Sequence, residues 1–166
     1  MELTKLTEPG IHYMKITDIK DYDEEDINTP KIVIKFITND NRIHTEKFSM
    51  KKSDNTEFGI PMITSLKKIK HICMNLVDEK IALAINNTDK LKLNLINKSA
   101  YFKLCGKEYL DKKGNIKMYL YFSLRRFCAK YNKAKRPLIF DKSKDVISLH
   151  ENTLNSQKTT NDELPF

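Results

Sequence analysis

A chain of 166 residues with 40% apolar composition is the size of one ordinary domain and can bury a real core. Its formal net charge of +8 favours a polyanionic partner, nucleic acid ahead of an anionic membrane surface. The longest apolar runs, such as 81–85, are far too short to span a bilayer, and no charged-then-apolar leader pattern opens the sequence, so no membrane role is expected.

The first expected strand follows Pro9-Gly10 as "IHYMKITDIK". An acidic loop, "DYDEEDINTP", leads to "KIVIKFIT", where Ile32, Ile34 and Phe36 alternate with Lys31, Val33 and Lys35. That alternation gives a strand one buried and one open face. The turn "NDN" then passes into a third strand, "RIHTEKFSM". Beyond a polar break, Ile63, Leu66, Ile69, Ile72 and Leu76 recur at helical spacing, and Pro61 suits a first turn, which predicts an amphipathic helix from about 60 to 76. Residues 78–97 are open between a short helix and an extended piece.

A hairpin comes next. "SAYFKLCGKEYL" and "IKMYLYFSLRRF" flank the loop "DKKGN", with Gly114 available for a positive φ. Pairing Leu110 with Ile116 sets Phe102 against Leu124 and Leu104 against Phe122 on the core side. The other face then matches Tyr101 with Arg125, Lys107 with Tyr119, and Tyr109 with Lys117. The expected class is therefore mainly β: a five-stranded OB-fold Greek-key barrel with one helix between strands three and four. It is expected over residues 1–140, followed by a disordered, polar tail from 141 to 166.

Residues 98–136 hold twelve Lys/Arg against two acids, a net of +10, together with five of the seven tyrosines. Cations that follow phosphates and exposed rings on which unpaired bases stack are what single-stranded nucleic acid requires. The expected contacts are Lys31, Lys35, Lys47, Lys103, Lys107, Lys112, Lys113, Lys117 and Arg125 to phosphate, and Tyr101, Tyr109, Tyr119, Tyr121 and Phe127 to bases. Lysine supplies 26 of the 30 cations, which suits phosphate contact better than bidentate base reading. The acids at 21, 23, 24, 25 and 26 border the same face in an OB barrel and would repel phosphate. The tyrosines can also pack beneath a loop, a helix or another subunit.

The sequence ends "TTNDELPF". Asp162, Glu163, Leu164, Pro165 and Phe166 resemble the acidic tip of bacterial and phage single-stranded DNA-binding proteins. The resemblance implies an OB domain that coats and protects single strands in replication, recombination and repair. It also implies that the tip docks into basic pockets of replication and repair proteins, Phe166 as anchor and Asp162 and Glu163 as steering charges. Only two acids precede the aliphatic residue, which suggests a divergent, phage- or mobile-element-encoded version. An RNA-binding OB-type module and an oligomeric interaction scaffold are the alternative readings, and a homo-oligomer is compatible with each.

Nothing points to an enzyme. No GxxxxGK[ST], GxGxxG or HExxH occurs, and the histidines at 12, 44, 71 and 150 lack metal spacing. No cofactor or metal is expected. Cys73, Cys105 and Cys128 lie far apart without a CxxC pair, as expected for reduced thiols in a cytoplasmic protein.

Overall fold

The computed structural model describes residues 2–28, 30–51, 60–61, 63–131 and 135–149. They form a mainly β domain in which five long strands carry the architecture: β2 (Gly10–Lys20), β3 (Lys31–Thr38), β4 (Arg42–Lys51), β6 (Ser99–Leu110) and β7 (Ile116–Tyr121). Four two-residue strands are added: β1 (Thr4–Lys5), β5 (Ile60–Pro61), β8 (Cys128–Ala129) and β9 (Val146–Ile147). The sheet order is β1-β4-β3-β2-β6-β7. Each long strand lies where the periodicity places it, except that β7 ends six residues early.

The sheet is curled and open. Three strands separate β4 from β7 in the order, yet the Phe122 amide just past the end of β7 donates to Glu46 Oε2 of β4 at 3.3 Å. Inside the curl, Phe36 packs against Phe102 (centroids 4.9 Å apart) and Phe122 (5.5 Å), and Phe122 stacks on Phe127 at 4.4 Å. All four rings are buried, and each contributes about 1.5–3 kcal/mol by leaving water. Ile32 and Ile34 of β3 and Met14, Ile16 and Ile19 of β2 fill the remainder. A bulge between Ile16 and Asp18 rotates β2, so that Ile19 continues the inward face that Met14 and Ile16 begin.

The amphipathic helix is α1 (Ile63–Leu76), which buries Ile69, Ile72 and Leu76. The stretch left open is helical in two pieces, α2 (Glu79–Ala84) and α3 (Thr88–Leu95). α3 starts where the Asn87 side chain accepts from the Lys90 amide at 2.8 Å, and it buries Leu91 and Leu95.

The β6–β7 hairpin has the expected register at its tip: Leu110 faces Ile116, Tyr109 faces Lys117, and Lys107 faces Tyr119. Gly114 takes φ +81°, and Asp111 Oδ1 accepts from the Lys113 and Asn115 amides at 2.9 and 2.8 Å. The register does not continue as expected. After Tyr121 the chain leaves the sheet and returns as β8, where Cys128 stands opposite Phe102 and Ala129 opposite Tyr101. The pairings of Tyr101 with Arg125 and Phe102 with Leu124 are therefore replaced. The excursion carries Phe127 under the sheet onto Phe122, while His71 Nε2 of α1 accepts from the Phe127 and Cys128 amides at 3.3 and 3.2 Å. Leu124, expected in the core, is 62% exposed.

The boundary expected at residue 140 also moves. α4 (Lys142–Asp145) and β9 follow it, and β9 runs parallel to β6 with Val146 opposite Gly106. Asp145 pairs with the buried Lys103 ammonium at 3.5 Å, a long-range contact that composition alone does not reveal. Residues 150–166, with the tip at 162–166, lie outside the described residues.

Candidate nucleic-acid interface

An open groove of about 540 Å³ runs along the side where the sheet fails to close. Its walls are the outward faces of β3 (Val33, Lys35) and β4 (Ile43, Thr45, Lys47), the β1 segment with Lys5, and the β6–β7 hairpin with Tyr109, Met118 and Tyr119. The loop between β2 and β3 overhangs it with Tyr22, Asp23, Glu24 and Glu25. Strand alternation places these side chains together: residues 32, 34 and 36 turn inward, so 33 and 35 turn out.

Tyr119 is 58% exposed and lies nearly parallel to Tyr121, with centroids 5.8 Å apart and planes 17° from each other. Tyr109 is 40% exposed beside it. The hairpin thus presents flat rings at one wall of the groove. Burial, with Glu46 nearby, pushes the Tyr119 phenol up from 10.0, so it stays neutral near pH 7. Lys112, Lys113 and Lys117 are exposed around the hairpin end, and Lys107 sits half-buried opposite Tyr119.

The acids of the overhanging loop are not merely solvated. Asp23 is buried and takes the Lys47 ammonium at 2.9 Å and that of Lys31 at 3.4 Å, while Glu25 takes Lys47 at 3.0 Å and Asp26 takes Lys31 at 3.8 Å. Glu24 pairs with Lys20. Two of the three β3–β4 lysines expected on phosphate are therefore held by carboxylates, and Lys35 is the third. The Lys47 ammonium, then the Glu25 amide and Lys31, hold the Asp23 carboxyl below its ordinary 3.8. A depressed folded value means that its stabilisation is complete above 3.8 and is lost as pH falls through the folded value. The Tm deficit of Asp23→Asn against the parent should accordingly be constant near neutral pH and shrink as the pH drops below 3.8. Thermal melts from pH 7 to 2.5 check this; a deficit that persists unchanged at the acid end contradicts the ion-pair account.

Several expected contacts lie outside the groove. Phe127 is 1% exposed, so no base can reach it. Lys103 is spent on Asp145 under α4 and β9. Arg125 belongs to a different cleft, beside α1. Tyr101 packs on Tyr13 of β2 at 4.9 Å and is not among the groove residues. Tyr13 and Tyr22, 42% and 46% exposed, are rings the sequence reading passed over. The signal for Tyr13 was its place between Ile11 and Lys15 on the outward set of β2; for Tyr22 it was a ring inside an acid run.

Among the described residues no group of three His, Cys, Asp or Glu is placed to hold a metal ion, and no helix is long and apolar enough to cross a membrane. Burial pushes the Cys73 thiol up to about 11 and that of Cys128 up to about 12, which makes both unreactive near neutral pH. No known protein family matches the chain in sequence, and no curated protein matches it either.

Proposed function

We propose that this chain is an OB-type, single-stranded DNA-binding protein that holds the strand in the groove between the β3–β4 face and the β6–β7 hairpin. The observation that supports it best is the pair of exposed rings, Tyr109 and Tyr119, on the wall opposite Lys35 and Lys47, with Tyr119 backed by the half-buried Tyr121. Rings offer stacking to any unpaired base, and lysines follow phosphates without reading sequence. The strand order β4-β3-β2-β6-β7, with a helix between the third and fourth long strands, agrees with an OB barrel left open along one side. A duplex offers no free base faces, so the rings favour single strands.

The loop acids fit this reading as competitors. A phosphate that takes Lys31 or Lys47 must displace Asp23 or Glu25, so affinity is tempered. Asp162, Glu163, Leu164, Pro165 and Phe166 would serve as the docking peptide for replication and repair proteins, a short hydrophobic anchor steered by charge.

Fluorescence anisotropy with labelled oligo-dT, its RNA counterpart and a matched duplex, at two salt concentrations, tests the proposal. Salt-sensitive binding to oligo-dT, with RNA and duplex much weaker, is expected. Equal or better RNA binding would favour an RNA module, since the 2′-hydroxyl separates the two. No binding to any of the three would favour a protein contact on the tyrosine face. Removing 162–166 should leave strand binding intact or slightly tighter.

A further inference from the structure

A second concavity, of about 490 Å³, lies between α1, the excursion at 124–127 and the segment 135–137. Its rim carries Lys67, Lys68, Arg125, Arg126 and Arg136, and no carboxylate lines it among the described residues. Lys20, Lys31, Lys47, Arg42 and Lys103 elsewhere in the domain are each ion-paired, whereas Lys67, Lys68, Arg125, Arg126 and Arg136 are paired with no acid among the described residues. Five cations gathered in one cleft repel each other unless an anion joins them.

The cleft is also fixed in shape. His71 of α1 holds the excursion through the Phe127 and Cys128 amides, which requires Nε2 to be unprotonated. Burial, then the nearby Arg126 charge, keeps the ring below its ordinary 6.5 and so supports that state. The Arg126 guanidinium in turn donates to the Arg136 and Pro137 carbonyls at 2.8 and 3.0 Å, which ties down the third wall. Three chain segments are therefore tied together before any ligand arrives, with Arg126 held in place among the cations.

We propose that this cleft is a second anion site that takes consecutive phosphate groups, those of a nucleic-acid strand running beyond the groove. Phosphates suit it better than bases, because no exposed aromatic ring lines it; Leu124 is its one exposed large apolar side chain among the described residues. Phosphates suit it better than a membrane for the same reason, and because the charges line a concavity. The polymer identity rests on the proposed function; the phosphate chemistry does not.

The test uses the full chain and its Lys67→Ala/Lys68→Ala/Arg136→Ala variant, with Arg126 left in place. Oligo-dT of about 8 nucleotides fits the groove alone, and one of about 30 can extend past it. For the long strand the variant should lose on the order of tenfold in affinity, and its slope of log K against log salt should fall by about 2, near 0.7 per lost phosphate contact. The short strand should bind both proteins equally. An unchanged slope with the long strand, or an equal loss with both lengths, overturns the proposal. Tripolyphosphate, followed through the Phe127 and Cys128 amide resonances, separates this result from failure of the proposed function. If the parent binds neither oligonucleotide, saturable shifts that the variant lacks keep a phosphate site and remove the nucleic-acid strand as its source. Absence of such shifts, or equal displacement of tripolyphosphate by poly-glutamate, overturns the site.

Discussion

Tyr119→Ala should weaken oligo-dT binding by ~1–3 kcal/mol, roughly five- to 150-fold, and Tyr109→Ala by a similar amount. Both rings are exposed, so neither change removes core packing, and thermal midpoints should move little. Phe127→Ala provides the opposite control. Its ring is buried against Phe122 and His71, so truncation should cost about 3–5 kcal/mol of stability. Anisotropy titrations alongside denaturant melts distinguish the two behaviours. If both tyrosine variants stay folded and keep parental affinity, the groove is not where the strand lies.

Those three aromatics also show what the sequence could carry. Tyr109 and Tyr119 were legible because a short loop with Gly114 pins the hairpin register, and alternation then fixes which side chains share a face. Phe127 was misplaced because apolar alternation continues unbroken through Leu124, giving no local sign that the strand ends at Tyr121. What ends it is distant in sequence: His71 accepting the Phe127 and Cys128 amides, and Phe122 stacking back on Phe127. The same holds for Lys103, whose role is set by Asp145, 42 residues away. The acids of the β2–β3 loop are expected from the sequence only to border the binding face and repel phosphate. They do border it, but Asp23 is buried because two lysines on neighbouring strands converge on it.

Glu46 is the residue on which the open side of the sheet depends most. One carboxylate oxygen meets His44 Nε2 at 2.7 Å, and the other accepts the Phe122 amide at 3.3 Å across the gap between β4 and β7. Both partners are buried, so Glu46→Ala orphans an imidazole nitrogen and a backbone N–H together. Each unsatisfied group costs about 1–3 kcal/mol, which gives an expected loss of about 2–6 kcal/mol for the two. Glu46→Gln should lose less, because its amide can still accept from Phe122 and donate to His44. Urea denaturation with an unchanged m-value reads both. The consequence for binding is indirect. Freed from Glu46, the end of β7 moves relative to β4, and Tyr119 moves with it relative to Lys35 and Lys47. Glu46→Ala should therefore weaken oligo-dT binding even at temperatures where it remains folded, while Glu46→Gln keeps most of the affinity. Equal affinities for parent and both variants would mean that the two walls of the groove act independently, and that the strand is held by one of them alone.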